Sequence, residues 1–495
     1  MTDTDARSAP PQATTLPLVA ALADALGEAG VQYCHWKSNE ALDKSVSAEN
    51  DLDLLIARRD ATTFTAVLHR LGFRSARPPT ARQLPGVIDY YGLDESSARI
   101  VHVHAHYQLV LGDDMTKNFR LPLEAAYLRS VGSTDPLPVP APEFEYVVFI
   151  LRMVVKHASW DAQLDRKGRL SPSERRELAY LEARADLDAT ARIIDVELPF
   201  IGQELFEACR RAVVEGSSHV ERARVAQQLL RRLDSLGRRA APIDLALRVW
   251  RRRWRRIEHR LHGSPRKRLV TGGLLMAVVG GDGAGKSSAV EMITDLLSDD
   301  FVTTRVHLGR PPRSRVSRAA RRIIDTLRGT DAGHATRRPA WQTANGSRFP
   351  GYTFMVWHVL IARDRYLAHR RARRAVMSGA VVVCDRYPIT GIRLMDGPRT
   401  ADVPGLARRP LARALARAEL RYYQRILPPD LLIVLRVDPQ VAAARRVDDR
   451  EDFVLHRAGE VYEHDWSDTG AVVIDAAQPI DAVWGQIRGT VWSVL

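Results

Sequence analysis

The spacing of apolar and polar positions divides the chain into three stretches. From 17 to 142, helical and strand periods alternate. "LPLVAALADALGEAG" has helical spacing and stops on Gly30. "VQYCHW" and "DLDLLI" read as strands, "ATTFTAVLHRLGF" as a helix between strands, and "ARIVHVHAHY" as another strand. The proline-rich "STDPLPVPAPEF" closes this α+β stretch. From 143 to 269 the period is helical, clearest in "EYVVFILRMVVKHA" and "VAQQLLRRLDSL", which predicts a helical connector with a basic linker. From 270 to 495, "LLMAVVG", "AVVVCD", "DLLIVLRV" and "AVVID" are nearly continuous apolar runs separated by helical patterns. Such strands have both faces covered, so an α/β domain with a doubly wound parallel sheet is expected. Residues 1–16 read as a disordered lead without the basic-then-apolar order of a signal peptide.

At 495 residues, with 45% hydrophobic and 27% charged positions, the chain is globular and too long for one core. No apolar run is long enough to span a bilayer. Cys34, Cys209 and Cys384 are too far apart for a disulfide framework or a zinc site. They are expected to be small buried residues in a reducing cytosol, which points to a cytoplasmic protein.

The net charge of +14 is unevenly spread. Residues 248–268 hold ten Lys/Arg against one Glu, and a second basic stretch runs from Arg305 to Arg338. Two readings of 248–268 stay open: a docking surface for nucleic acid or an acidic membrane, or a solvated helix and linker. Trp250 and Trp254, four residues apart, suit either packing or insertion at an interface. The oligomeric state is also open, a homodimer included.

The chemistry begins at "VVGGDGAGKSSAV". Gly280, Gly285, Lys286 and Ser287 satisfy the G-x-x-x-x-G-K-[ST] phosphate-loop pattern, with a strand before and a helix after. Gly280, Gly283 and Gly285 let backbone N–H groups turn inward around phosphate oxygens, and Ser288 continues the loop into the helix. Lys286 neutralises the donor phosphates of ATP, and the Ser287 hydroxyl can ligate Mg²⁺. Downstream, "AVVVCDRYP" ends a strand in Asp385-Arg386-Tyr387, where side chains face a ligand crevice. A carboxylate there can serve the Mg²⁺ shell, and an arginine can clamp a second phosphate.

"GGDGAGKSS" followed by "CDRYP" resembles the thymidylate kinase family of nucleoside monophosphate kinases. "LIARDRYLAHRRARRAVMSGAVVVCDRY", "PPDLLIVLRVDPQVAAARR" and "RRVDDREDF" resemble, in order, that family's Asp-Arg helix, penultimate strand and mobile lid. The resemblance covers about 220 residues. It implies that Asp282 sits near the acceptor, that Arg386 with Tyr387 binds the acceptor phosphate, and that Asp364 and Arg365 line the acceptor pocket. It also implies that Arg446 and Arg450 descend with the lid onto the donor phosphates. Ile361 stands where the family has a stacking aromatic, "PITGIRLMDG" replaces small polar residues, and Arg436 replaces an acidic or polar one. The acceptor is therefore expected to be a nucleoside monophosphate or a related phosphorylated small molecule.

In the first stretch, Asp51 and Asp53 alternate on a strand, so both carboxylates face one side and can hold Mg²⁺. "HWKSNEALDKSVSAENDLDLLI" resembles the nucleotidyltransferase fold signature. The resemblance implies that Ser38 marks a loop meeting a triphosphate, with Lys37 beside it. Where that superfamily often has a third carboxylate, this chain has His104, followed by His106 and Tyr107. His102, His104 and His106 at strand spacing fit either packed strand histidines or a metal site. Three functions remain: a phosphotransferase, a regulatory ATP-binding protein with a basic docking linker, or a nucleotidyltransferase of the first stretch.

Overall fold

The chain folds as two units, residues 1–267 and 268–495. The computed structural model describes residues 14–84, 86–132, 135–157, 170–214, 218–262, 266–309, 311–328, 349–389, 392, 397–445 and 451–495. Arg446, Arg450, residues 310 and 329–346, and most of 388–397 lie outside them.

The second unit is built on a sheet of five parallel strands. Their spatial order is Thr303–His307, Val381–Asp385, Leu274–Gly280, Leu431–Arg436 and Val472–Asp475. Leu274–Gly280 is buried at every position, and so is Val381–Asp385. Each fully buried valine or leucine there contributes about 1.5–3 kcal/mol. Thr303–His307 carries no apolar run because it is the sheet edge, with exposed Thr304 and Arg305. The first strand in sequence lies between the third and the fourth. The strand order therefore switches direction beside it, and in such sheets ligands bind at the strands' carboxyl ends near that point.

The first unit carries a mixed sheet. Its strands are β1 (Tyr33–His35), β2 (Leu52–Ile56), β3 (Arg74–Arg77), β4 (Val87–Asp94) and β5 (Arg99–His106). Their spatial order is β1-β2-β5-β4-β3, with β2 and β5 parallel and the other neighbours antiparallel. The region read as a connector has a different part to play. Tyr146, Phe149, Ile150 and Leu151 of the helix Pro142–His157 are buried in one core with Cys34, Trp36, Leu55 and Tyr127. This helix is apolar around most of its circumference, which requires burial on several sides.

Ala241–His262 forms one basic helix. Part of its charge is used internally: Arg251 Nη1 donates to Met115 O at 2.7 Å and Arg252 Nη2 to Asp113 at 2.5 Å. Trp250 and Trp254 stack on each other and are each about half exposed, at 54% and 51%. Among the described residues no helix is long and apolar enough to cross a membrane. Cys34, Cys209 and Cys384 are buried free thiols.

Candidate functional site

The phosphate loop joins the central strand to the helix Lys286–Ser298. Gly283 and Gly285 have φ of +85° and +84°, a region that side chains with a Cβ rarely adopt. A Cβ at Gly283 would lie 2.6 Å from Ala442 O, and one at Gly281 2.9 Å from the Ala458 backbone. The helices Pro439–Ala444 and Glu451–Glu463, on either side of residues 446–450, thus pack backbone to backbone against the loop.

Lys286 is buried and turned onto its own loop, donating to Gly281 O at 2.5 Å. Burial pushes its ammonium down to about 8, helped by the nearby Arg386 and Arg457 and opposed by Asp282. Ser287 and Ser288 are exposed in the first helical turn.

Three cations converge on Asp282: Lys286 Nζ at 3.8 Å, Arg386 Nη2 at 3.6 Å and Arg457 Nη1 at 3.0 Å. Arg386 has φ +60°, an unfavourable backbone for a non-glycine residue. Such strain often accompanies a side chain that must point into a site. Asp385, buried at the strand end, accepts from Arg305 Nη2 at 3.3 Å. Arg457 was missed by reading the chain alone. It lies in a helix whose period marks it only as a polar position, and its nearness to the loop comes from the Ala458–Gly281 packing.

Asp364 is buried, accepts from Ser314 N, and has no hydrogen bond on Oδ1 among the described residues. Two expected acceptor residues have other tasks. Arg365 donates from Nε to Leu308 O at 2.9 Å and from Nη2 to Gly309 O at 3.1 Å, and its Nη1 bonds the Tyr423 hydroxyl. It fastens the segment after the edge strand. Tyr387 is 3% exposed, and its hydroxyl bonds His369 Nδ1 and Leu427 O. It is a core residue, packed with Leu275, Val382 and Cys384 in one cluster. Arg436 lies over the Tyr462 ring at 4.5 Å.

The first unit has a second polar centre. Asp51 and Asp53 have different partners. Asp51 Oδ1 pairs with His102 Nδ1 at 2.7 Å, and His102 Nε2 with Asp89 at 2.9 Å. Asp53 Oδ1 instead meets Lys37 Nζ at 3.0 Å, His104 Nδ1 at 3.2 Å and His106 Nε2 at 3.4 Å. Burial alone would raise the Asp53 carboxyl, but Lys37 and the two histidines hold it well below the usual carboxylate range. Burial pushes His106 down to about 4, so its ring is neutral.

Beside Asp53 lies a cavity of about 330 Å³, walled in part by Lys37, Lys117, Arg152 and Lys156. The helical segment supplies two of these. Arg152 and Lys156 are four residues apart on the helix Pro142–His157, with Glu145 seven before Arg152, so the three share a face. Arg152 pairs with Glu177 at 2.7 Å, Glu177 accepts from Ser38 N, and Glu145 accepts from Asn39 Nδ2 at 2.9 Å. These contacts hold the Lys37-Ser38 turn, where Ser38 has φ +58°. The polar positions inside "EYVVFILRMVVKHA" were the available signal.

Residues 278–487 match the family model described as thymidylate kinase. The chain is also similar to "Uncharacterized ATP-binding protein YghR" of Escherichia coli strain K12. The two are 25% identical over 236 residues, 44% of this chain and 86% of that protein. "Uncharacterized ATP-binding protein YghS" of the same strain is 24% identical over 220 residues, 42% of this chain and 88% of that protein. The five-stranded parallel sheet with its phosphate loop is therefore a thymidylate kinase-like domain, a type that implies nucleotide binding and phosphoryl transfer.

Proposed function

We propose that residues 268–495 transfer a phosphoryl group from ATP to a nucleoside monophosphate or a related phosphorylated small molecule. One observation carries this reading: Lys286 of the loop and Arg386 of the strand end approach the same Asp282 oxygen. A hydrolytic switch needs one phosphate cradle. A second phosphate-binding cation beside the first suits a donor and an acceptor held together. Phosphoryl transfer depends mostly on such positioning and on charge neutralisation.

In this reading the loop N–H groups and Lys286 grip the donor phosphates, and Arg386 holds the acceptor phosphate. Arg457 leaves Asp282 to neutralise charge in the transition state, a task that Arg446 and Arg450 share. Asp282, released from its three cations, faces the acceptor, and Asp364 Oδ1 offers the acceptor a hydrogen-bond partner. Ser287, exposed in the first turn, and Asp385, at the end of the adjacent strand, suit a hard cation and would hold Mg²⁺. When bound, that ion supplies further neutralisation of the phosphates.

The test is a panel of nucleoside monophosphates and phosphosugars incubated with ATP, Mg²⁺ and the full chain, with ADP and phosphorylated product both measured. ADP without any phosphorylated acceptor would favour the regulatory ATP-binding reading. Arg386→Ala is expected to raise the acceptor KM and lower kcat, together by ~10²–10³-fold in kcat/KM, with ATP affinity retained. Equal weakening of ATP and acceptor would move Arg386 to the donor side.

The depressed Lys286 ammonium gives a pH prediction. Without nucleotide the lysine loses its proton as pH rises through about 8. Bound phosphate favours the charged form, so ATP binding should take up a proton, and affinity should fall as pH rises above about 8. Calorimetry at pH 8.5 in buffers of different ionisation enthalpy measures this uptake. Zero proton exchange would contradict the assignment of Lys286 to the phosphates.

A further inference from the structure

The register of the first unit's sheet brings together a cluster of donor groups that the Asp51–Asp53 spacing did not describe. In the parallel pairing of β2 with β5, Asp53 lies opposite His104. Alternation along β5 puts His106 on the same face two residues on. One donor atom from each of Asp53, His104 and His106 lies within 4.8 Å of the other two. These side chains are fixed by more than one another. The Trp36 ring meets the His106 ring edge-on at 5.1 Å, and His104 Nε2 lies 3.6 Å from the Asp89 carboxylate. A carboxylate behind a histidine is the arrangement that orients imidazole ligands.

Ordinary packing does not account for this cluster. His106 is 6% exposed, and its Nε2, 3.4 Å from Asp53 Oδ1, makes no well-formed hydrogen bond among the described residues. Leaving a buried polar nitrogen without a hydrogen bond costs about 1–3 kcal/mol. Lys37, His104 and His106 all crowd one oxygen, Asp53 Oδ1. A cation held between the three donors would satisfy all of them and displace the Lys37 ammonium.

We propose that Asp53, His104 and His106 bind one divalent transition-metal ion of the Zn²⁺ or Mn²⁺ type, and that the adjoining cavity accepts a phosphate-bearing small molecule. Two imidazoles with one carboxylate select such an ion over Mg²⁺, which prefers oxygen donors. Three protein donors leave coordination positions open, as in sites where a ligand or water completes the shell. Those positions face the cavity, a volume large enough for a small phosphorylated molecule, whose lining includes Lys117, Arg152 and Lys156, each paired with a carboxylate of the same lining: Asp114, Glu177 and Glu174. Lys37, displaced from Asp53 by the ion, then offers this wall a cation released from its carboxylate, which is what makes oxyanion binding depend on the metal.

The experiment uses the full chain, stripped with chelator and titrated with Co²⁺, Zn²⁺ and Mg²⁺ by calorimetry and visible absorption. One Co²⁺ per chain with ligand-field bands is expected, displaced by Zn²⁺ and not by Mg²⁺ at similar concentration. Asp53→Asn and His104→Ala should each weaken Co²⁺ binding by more than ~100-fold. Lys37→Met, which removes the competitor for Asp53, should tighten it. His104 is partly exposed, so His104→Gln, checked by circular dichroism, replaces any variant that fails to fold. Inorganic phosphate or pyrophosphate should bind more tightly to the metal-loaded chain than to the stripped chain. The proposal is overturned by no Co²⁺ binding, by unchanged bands in the Asp53 and His104 variants, or by Mg²⁺ competing as well as Zn²⁺. Phosphate binding that is indifferent to the metal would overturn the ligand half.

Discussion

Lys286→Ala is expected to lower phosphoryl transfer by at least ~10³-fold, because a buried donor to the transferring charge is worth several kcal/mol in a site closed to water. The loss should appear in ATP affinity as well as in kcat, since no other loop side chain carries a positive charge. The fold should survive. In the nucleotide-free chain Lys286 is a desolvated cation with its ammonium pushed down to about 8. The unfolded chain binds its proton more tightly, so at pH 7 the buried charge opposes folding. That opposition fades as pH rises from about 8 toward the ordinary lysine value. The alanine variant should therefore have an equal or higher Tm at pH 7 and lose this part of the pH dependence. Steady-state ADP formation and thermal melts measure both. Turnover near that of the unaltered chain would remove the phosphate-loop assignment, and a large drop in Tm would mean that Lys286 serves the fold.

Gly283→Val should nearly abolish ATP binding by a different route. A left-handed backbone costs a side chain with a Cβ about 1–2 kcal/mol, and forced overpacking about 1–3 kcal/mol more. Together this corresponds to roughly 30- to 4000-fold in affinity if the loop must be restored to bind nucleotide. The packing part arises because the new Cβ would lie 2.6 Å from Ala442 O, a backbone atom that cannot rotate away. Gly285→Ala is the matched control. Its φ is nearly the same, but no atom lies within 4 Å of the added Cβ, so only the backbone strain applies. Fluorescent ATP-analogue titration of the two variants separates the terms. Equal losses would mean that the close approach of the helix Pro439–Ala444 to the loop does not matter for binding.

Much of the second unit was legible in the residues. Strands such as Leu274–Gly280 and Val381–Asp385 are covered on both faces, and so write themselves as apolar runs. The phosphate loop requires glycine, lysine and a hydroxyl at set spacings, so its chemistry is local. The edge strand Thr303–His307 escaped because one side meets solvent and its residues need not be apolar. Arg365 and Tyr387 looked like ligand-facing residues by position along the chain. Which way they point is decided by the carbonyls of Leu308, Gly309 and Leu427, brought near from elsewhere in the fold.

The first unit shows the same division more sharply. Alternation by itself determined that Asp53 of β2 and Asp51, just before it, face one side, and that His102, His104 and His106 share a face of β5. Pairing decided which of them meet, because the β2–β5 register sets Asp53 against His104 and leaves Asp51 to His102. A shift of one residue would have turned the histidines to the opposite face. The helices after residue 142 announced their periods but not their positions. Only their burial against Cys34, Trp36 and Tyr127 carries Arg152 and Lys156 to the cavity beside Asp53. Sequence thus determined which local elements form and which chemical groups they carry, since both depend on neighbours along the chain. Tertiary packing decided which groups converge, since that depends on contacts between residues more than 100 positions apart, as between Arg457 and Asp282 within one unit and Asn39 and Glu145 within the other.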